Sequence, residues 1–452
     1  MSTPVPDSEV TRKLARYIVD AQPSDLPAKV KKEGLRTLLN YVGCAVGGAK
    51  HEAVDISVKA LLPFSGVAHA SLFGRAERFD IMHAAFINGL SSHVLDFDDT
   101  HLKTVIHPGG PVCSAIIAYA EQFKVSGEDF LNALILGVEA ECRIGNCVYP
   151  DHYDRGWHIT GSTGVFGAAA AVGKLMKLDE QQMLYALGVA ASQPVGLREM
   201  FGTMTKPFHP GRAAQNGLFA ALLAQGGFTS SNQALEAKRG WCNVLSTKQD
   251  YSEITKGLGD TFEISINTYK PFACGIVIHP AIDGCAQLSA KHDLTADKVA
   301  KVDLKVHPLV LELTGKKTPQ TGLEGKFSVY HSCAMAIIDR EAGEHQYSDG
   351  AVRSPVTIAL RDKVEAVVDK AIHEHQADVT ITTTKGETLH LFVENAIGSL
   401  GRPMTDADLE AKFSGLSQGI LEDARIKPLM DLCWNVESLK DVDILAKSGR
   451  AA

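Results

Sequence analysis

Three aspartates and three histidines lie close together in the stretch HVLDFDDTHLKTVIHPGG, residues 93–110. Neighbouring carboxylates repel one another, so a fold keeps them together only if they cap helices, bind cations or shift the pKa of a nearby group. The stretch ends with His107 just ahead of a Pro-Gly-Gly helix start, where backbone N–H groups favour an anion. A solvated acidic turn is the simpler alternative, but apolar helical segments flank it on both sides. We predict that this stretch is one wall of an active site for small carboxylic acids.

The same side chains would also suit a hard metal ion. Carboxylates together with histidine are chemically adequate for Mg²⁺ or Mn²⁺. No HxxxH motif occurs elsewhere in the sequence to complete such a site. A metal is therefore the less favoured interpretation of the cluster.

Two further motifs place cations and imidazoles in short, stiff segments. His158 lies in GWHITG, at the mouth of an Ala/Gly-rich helix, where a buried structural histidine is an equally good interpretation. Lys206, His209 and Arg212 lie within seven residues in TKPFHPGR, which two prolines and a glycine predict to be a compact cationic loop. An arginine there would bind a carboxylate through two parallel hydrogen bonds, although an ordinary surface loop fits as well.

The remaining candidates belong to the second half of the chain. Lys270 lies in YKPFAC, and its aromatic, proline-stiffened setting predicts a lowered pKa and a role as acid or base, with an exposed linker lysine as the alternative. In GKFSVY, Lys326 and Tyr330 begin a helix and would offer a cation and a phenol from the opposite wall.

The elements that must position these residues change character near residue 270. Up to about residue 265 the pattern is helix after helix, with a cap at Ser126 and Ala/Gly-rich segments typical of a bundle interior. Residues 299–307 and 377–393 alternate as strands do, the latter as a hairpin around Lys385-Gly386. We predict a mainly α protein: a large all-helical domain of residues 1–268 and 398–452, and a smaller α+β domain of residues 269–397. The cleft between them is the natural ligand site.

The composition of the chain disfavours several classes of partner and cofactor. The formal net charge is −8 and Lys and Arg form no long block, which disfavours nucleic acid or a membrane surface as partner. The nine cysteines are scattered without a CxxC pair, which indicates free thiols. The N-terminal residues lack an apolar signal sequence and no run of about 18 apolar residues occurs, so we expect a cytoplasmic protein. Neither a nucleotide-binding GxGxxG nor a GxxxxGK[ST] motif is present.

Taken in order, five motifs resemble those of the MmgE/PrpD family, and the resemblance covers nearly the whole chain. They are LDFDDTH…HPGG at 95–110, GWHITG at 156–161, TKPFHPGRAAQNG at 205–217, YKPFAC at 269–274 and GKFSVY at 325–330. The family includes dehydratases of 2-methylcitrate, decarboxylases of cis-aconitate and epimerases of iminodisuccinate. The resemblance implies an all-helical domain with an α+β lid, a homodimer, and catalysis without a metal or an organic cofactor.

The resemblance also implies a set of pocket residues. They are Asp96, Thr100, His107, His158, Lys206, Lys270 and Tyr330. Asp98, Asp99 and His101 are then left with a structural role.

The three family reactions share the movement of a proton at a carbon next to a carboxylate. We expect His107, oriented by Asp96, or Lys270 to move this proton. Lys206 and His158, helped by Arg212, are expected to bind the substrate carboxylates. The hypothesis is completed by Thr100, which would hydrogen-bond a substrate oxygen, and by Tyr330, which would close the site from the lid.

The expected function is a lyase acting on a small di- or tricarboxylate, with dehydration favoured over decarboxylation as the reaction. The alternatives are an isomerase that epimerises a dicarboxylate and a catalytically silent carboxylate-binding protein.

Overall fold

Helices dominate the first part of the chain and return at its C-terminal end. The computed structural model describes residues 9–451; residues 1–8, part of the N-terminal stretch expected to lack a signal sequence, and Ala452 lie outside the described residues. The prediction of a mainly α protein with a smaller α+β part is confirmed. The helices that precede residue 260 are Val10–Asp20, Ala28–Gly48, Glu52–Leu61, Ile81–His93, Gly109–Gln122, Gly127–Val148, Asp151–Asp154, Ile159–Leu175, Glu180–Ala191, Thr205–Gln225, Trp241–Leu245 and Ser252–Thr255.

Side-chain caps fix where several of these helices begin. Ser126 has extended backbone and its hydroxyl accepts a hydrogen bond from the backbone N–H of Asp129 at 3.2 Å, as the sequence predicted. Asp80 caps the helix that leads to the acidic stretch, accepting from the N–H of Met82 at 2.9 Å. Such caps satisfy N–H groups that have no partner within their own helix.

The Ala/Gly-rich helix Ile159–Leu175 lies in the middle of the bundle. Every residue from Ile159 to Gly173 is buried. The helix packs against Gly127–Val148 and Thr205–Gln225. Small side chains allow this close approach, because a Cβ on Gly217 would come within 2.4 Å of the Ala168 side chain. The predicted bundle interior is therefore present, and it carries His158 at its edge.

The α+β part contains one four-stranded mixed sheet. Its spatial order is Val364–Val368, Val299–Val306, Ala377–Thr383, Thr388–Val393. The first pair is parallel and the other two are antiparallel, so the predicted hairpin around Lys385-Gly386 is confirmed. Helices His279–His292, Pro308–Thr314, Gly322–Gly325, Val329–Ile338, Asp349–Arg353 and Pro355–Arg361 complete this part.

The last helices pack back onto the bundle. They are Asp406–Ser417, Asp423–Trp434 and Asp443–Ser448, and the first two lie against Ala28–Gly48. A short antiparallel pair of strands, Asp99–His101 with Asn267–Tyr269, also joins distant parts of the chain. Within residues 9–451, no helix combines the length and the apolar character needed to cross a bilayer.

One buried carboxyl group faces the central helix without a partner. Neither oxygen of Glu141 makes a hydrogen bond with any described residue, and the side chain lies against Gly164 and Gly167. Burial first, and then the charge of Asp99, raises its pKa well above the usual value. By contrast, Glu139 on the same helix accepts a hydrogen bond from Arg143 at 2.9 Å. Burial raises the pKa of Glu139 as well, to about 7, but Glu139 has a cationic partner in Arg143 and Glu141 has none.

Replacing Glu141 with methionine is expected to stabilise the protein by about 1–3 kcal/mol at pH 8, because the substitution removes an unsatisfied buried polar group. The folded protein holds the Glu141 proton to a higher pH than the unfolded chain, whose glutamates titrate near 4.5. The contribution of Glu141 to the stability of the wild type thus falls as the pH rises above that value, and the gain from methionine grows between pH 6 and pH 8. Urea unfolding at both pH values measures it.

The matched control is Glu139→Gln on the same helix. Removing this carboxylate leaves the buried Arg143 charge without its ion-pair partner, which costs about 3–5 kcal/mol. If Glu141→Met were also destabilising at both pH values, the assignment of Glu141 as an unpaired buried acid would be wrong.

Candidate active site

A two-stranded ribbon brings the acidic stretch and the junction lysine together. Strand Asp99–His101 follows the aspartate cluster, and strand Asn267–Tyr269 ends directly before Lys270. The strands are antiparallel, with Asp99 opposite Tyr269. Residues about 170 positions apart in the sequence are thereby neighbours, and the Lys270 side chain lies beside the turn that carries Asp96.

Asp96 is the centre of the site. Its carboxylate oxygen Oδ1 accepts hydrogen bonds from the ammonium groups of Lys270 at 2.6 Å and Lys206 at 2.9 Å. Its backbone is in the left-handed region, with φ of 50°, which is uncommon for a residue other than glycine. Such strain is typical of functional positions. Burial alone would raise the pKa of Asp96, but the charges of Lys206 and Lys270 outweigh it and hold the pKa well below the usual value.

A second carboxylate extends this network. Asp98 Oδ2 accepts a hydrogen bond from His93 Nδ1 at 2.5 Å, and His93 Nε2 in turn lies 3.1 Å from the Lys206 ammonium. The Asp98 carboxylate also lies 3.9 Å from the Lys270 ammonium. Burial opposes ionisation of Asp98, but the neighbouring imidazoles of His93 and His107 lower its pKa. Asp98 thus fixes the orientation of the His93 ring, and His93 Nε2 in turn positions the Lys206 ammonium group.

The two lysines differ in their readiness to lose a proton. Burial lowers the pKa of Lys206 more than Asp96 raises it. Burial also acts against charged Lys270, but Asp96 and Asp98 outweigh it and raise its pKa. The predicted lowering of the Lys270 pKa was therefore wrong, because the sequence did not reveal two carboxylates around this ammonium group. Lys270 is a fixed cation.

His107 presents one ring nitrogen to the pocket. Its Nδ1 lies 2.7 Å from the backbone carbonyl oxygen of Asp99, which can only accept, so Nδ1 carries the hydrogen. The Thr100 hydroxyl lies 3.2 Å from the same nitrogen. Burial lowers the pKa of His107 to about 3, even though Asp98 acts in the opposite direction. The imidazole is neutral at physiological pH and its Nε2 is free to accept a proton.

His158 lies on the other side of the pocket, at the N-cap of the central helix. Its Nδ1 and His209 Nδ1 are 2.8 Å apart, so one imidazole donates to the other. Burial, followed by the nearby His209 and Lys206, lowers the pKa of His158 well below the usual value. A second neutral imidazole therefore faces the pocket.

The segment expected to be a cationic loop is the start of a helix. Thr205–Gln225 is helical throughout, with Pro210 inside it. A proline is tolerated in the first helical turn, and one further along removes a single backbone hydrogen bond. The helix separates the cations that the sequence grouped: Lys206 faces the site, whereas Arg212 is exposed and hydrogen-bonds Gln215. The structure therefore places Arg212 outside the pocket.

Two other predicted residues lie near the pocket but do not line it. Thr100 is fully buried behind His107. Tyr330 is buried in the helix Val329–Ile338, and Lys317 lies over its ring at 5.4 Å. Lys326, expected on the opposite wall, donates instead to the backbone carbonyls of Leu95 and Ala273.

The sequence analysis assigned no role at the site to His93, His209 or Lys412, and it left Asp98 with a structural role. His93, Asp98 and His209 complete the hydrogen-bond network. Lys412, on a C-terminal helix, donates to the backbone carbonyls of Phe97 and Lys270 and to the Asn40 side chain. His93 and His209 lie within motifs already recognised, but nothing in the sequence marks Lys412.

The polar pocket, as we call this cavity of about 40 Å³, lies between the helical bundle and the α+β part. Asp96, His107, His158, Lys206 and Lys270 line it from one side. The opposite wall comes from residues 275–277, 313–314 and Phe327. Two ammonium groups and two neutral imidazoles beside a small cavity suit a carboxylate ligand.

Three of the histidines also have metal-ligand spacing. Nitrogens of His93, His107 and His158 lie within 4.8 Å of one another. The Lys206 ammonium, however, lies at hydrogen-bond distance from His93 Nε2, while His93 Nδ1 is engaged by Asp98. A metal at this point would have to displace that ammonium group, so the side chains suit an anion better than a cation.

Comparison with known proteins identifies the family of the chain. Residues 12–254 match the MmgE/PrpD N-terminal domain and residues 272–436 match the MmgE/PrpD C-terminal domain. The chain belongs to the MmgE/PrpD family, as its motifs predicted.

Relatives with assigned names are similar over nearly their whole length. The cis-aconitate decarboxylase-like protein oryM of Aspergillus oryzae is 26% identical, covering 97% of each chain. The cis-aconitate decarboxylase of Aspergillus terreus is 26% identical over 97% of this chain and 95% of its own. The human cis-aconitate decarboxylase is 25% identical over 96% of this chain and 93% of its own.

Proposed function

We propose that the protein is a lyase that acts on a small di- or tricarboxylate by moving a proton at a carbon next to a carboxylate, without a metal or an organic cofactor. The observation that carries the proposal is the pairing of His107 Nε2, free to exchange a proton, with the Lys206 and Lys270 ammonium groups on one small pocket. The names of the relatives favour decarboxylation over the dehydration expected from the sequence.

The cations and the imidazole have separate tasks in this mechanism. A carbon next to a carboxylate is barely acidic, because the negative charge that develops there adds to one already present. Lys270, whose charge is fixed by Asp96 and Asp98, and Lys206 would bind the carboxylates and stabilise the developing charge. His107 would pass a proton between its Nε2 and the reacting carbon. In a decarboxylation, His107 Nε2 would first take up a proton from solvent; the bond to the departing CO₂ would then break, and the electron pair left on the substrate would take up this proton.

His158 and the aromatic rings complete the pocket. Phe201 and Phe327 lie 5.4 and 5.5 Å from the Lys206 ammonium, which they shield from water while leaving it charged. His158, neutral and held by His209, would donate or accept a hydrogen bond at a substrate oxygen. The exclusion of water strengthens each electrostatic contact in the pocket.

The test is incubation in D₂O with cis-aconitate, citrate, 2-methylcitrate and iminodisuccinate, followed by NMR. We expect cis-aconitate to lose CO₂ and the product to gain one deuterium bound to carbon. Alkene formation from 2-methylcitrate would assign a dehydratase, and inversion of iminodisuccinate would assign an isomerase and contradict the lyase. The rate is expected to be unchanged after treatment with a chelator.

Matched lysine variants serve as controls for this test. Lys206→Met should abolish turnover because it removes a pocket cation, whereas Lys301→Met, on an exposed part of the sheet, should leave it unchanged. If no acid reacts or exchanges its proton with the folded wild type, the proposed function is wrong.

A further inference from the structure

A second cavity adjoins the polar pocket. This side compartment has a volume of about 140 Å³, compared with about 40 Å³ for the polar pocket. Val105, Ile276 and Val277 line both cavities, so the two share a wall. The side compartment therefore lies directly beside the polar pocket.

The shared wall contains a strained residue. Val105 lies in the turn after strand Asp99–His101 with φ of 54°. A β-branched residue rarely adopts this conformation, and such strain persists only where the surroundings impose it. A backbone hydrogen bond from His101 N–H to Ile106 O, at 2.7 Å, closes the turn and holds Val105 in place. The turn therefore sets the boundary between the cavities.

The side compartment has the opposite chemistry to the polar pocket. Leu102, Pro280 and Ile397 contribute to its largely apolar lining, which contains no lysine or arginine. The charged group at its rim is the exposed carboxylate of Glu374, which would repel a second anion. The cavity therefore suits an uncharged group.

His279 is the most deeply buried of the polar side chains that line the compartment, which also include Ser399 and His375. It is 2% exposed, and neither ring nitrogen makes a hydrogen bond of normal geometry with a described residue. Burial, followed by the charge of Lys270, lowers its pKa to about 3, so it is neutral. It can form one hydrogen bond with an uncharged ligand and adds no positive charge to the compartment.

Volume indicates the size of ligand that each cavity accepts. About 10–15 Å³ of such volume holds one water molecule, and an apolar cavity of about 150 Å³ holds benzene. The polar pocket thus holds only a few heavy atoms of the carboxylate-bearing part of a ligand, whereas the side compartment has room for about six carbon atoms.

We propose that the side compartment binds an uncharged, mainly apolar substituent of about four to six carbon atoms on the carboxylate substrate. This inference rests on the proposed function, because the carboxylate end is placed at Lys206 and Lys270. It assigns the substrate class: a di- or tricarboxylate with an alkyl chain, rather than an unsubstituted acid.

The experiment measures binding by calorimetry for succinate and a series of 2-alkylsuccinates from methyl to octyl. Burial of each methylene is expected to increase affinity about three- to four-fold up to the hexyl compound, with no further gain beyond it. Ala396→Leu and Ile397→Trp, which fill the compartment, should remove this dependence on chain length and leave succinate affinity unchanged. If one variant fails to fold, the other serves the same purpose. Val356→Trp, which adds bulk on an exposed helix, is the control.

The outcomes separate this inference from the proposed function. Succinate binding with no gain along the alkyl series would overturn the inference and leave the carboxylate site standing. A gain that persists in both filled variants would also overturn it, because the chain would then bind elsewhere. If neither succinate nor any alkylsuccinate binds, both proposals are wrong.

Discussion

Asp96→Asn is expected to lower kcat/KM by at least about 10³-fold, because it releases both pocket lysines from their shared anchor. Removing one oriented group that stabilises charge typically costs 10²–10³-fold, and here two are affected. Both ammonium groups donate to the same oxygen of Asp96, and its charge opposes the lowering of their pKa by burial. Steady-state turnover of the substrate identified by NMR measures the loss.

The same substitution has a second, pH-dependent consequence. Without Asp96, burial lowers the pKa of both lysines, so that they lose their charge at a lower pH than in the wild type. Carboxylate binding measured from pH 7 to pH 9 should therefore weaken at a lower pH in the variant than in the wild type. A purely structural role for Asp96 would not shift this profile.

Asp96→Asn also removes a buried ion-pair partner, which lowers the free energy of unfolding by about 3–5 kcal/mol. The folding of this variant must therefore be measured separately. Glu236→Gln is the control, since this buried carboxylate binds Thr11 far from the pocket. Glu236→Gln should lower the free energy of unfolding and leave turnover unchanged. Near-normal kcat/KM in folded Asp96→Asn would contradict the assigned site.

His107→Gln is expected to slow the proton step by about 10²–10⁴-fold, the usual contribution of a positioned acid or base. Glutamine can still donate to the Asp99 carbonyl oxygen that now holds His107 Nδ1, but it cannot take up a proton. Substrate binding should change much less, because Lys206 and Lys270 remain. Deuterium incorporation in D₂O follows this step directly, and calorimetry follows binding.

His101→Gln is the matched control on the same turn. His101 is buried and hydrogen-bonds Thr104 and Glu263, so its side chain points away from the pocket. If this variant slows deuterium incorporation as much as His107→Gln does, the slower rate comes from disturbing the turn and not from losing the base. A rate within a few-fold of wild type in His107→Gln would move the proton-transfer role elsewhere.

Local patterns made the elements of the fold predictable. Helix starts at Ser126 and strand alternation around Lys385-Gly386 depend on neighbours within a few residues, and both are confirmed. The exception is the segment from Thr205 to Arg212. Its two prolines and glycine are typical of a loop, but packing against buried helices stabilises it as a helix start.

The sequence alone determined the family, the fold class and the residue types of the candidate site, because these follow from motifs that each span only a few positions. The tertiary structure decided how the charges are shared. Asp96 holds two lysines that are 110 and 174 positions away, and this pairing fixes Lys270 as a cation. The Asp99 carbonyl oxygen holds His107 Nδ1, which leaves Nε2 free. The tertiary structure also decided that Arg212 faces solvent and that Lys412 donates a hydrogen bond to the backbone carbonyl of Lys270 at the site. Coulomb energies and burial depend on distances in space, and a ribbon between Asp99–His101 and Asn267–Tyr269 sets those distances in a way that no local pattern encodes.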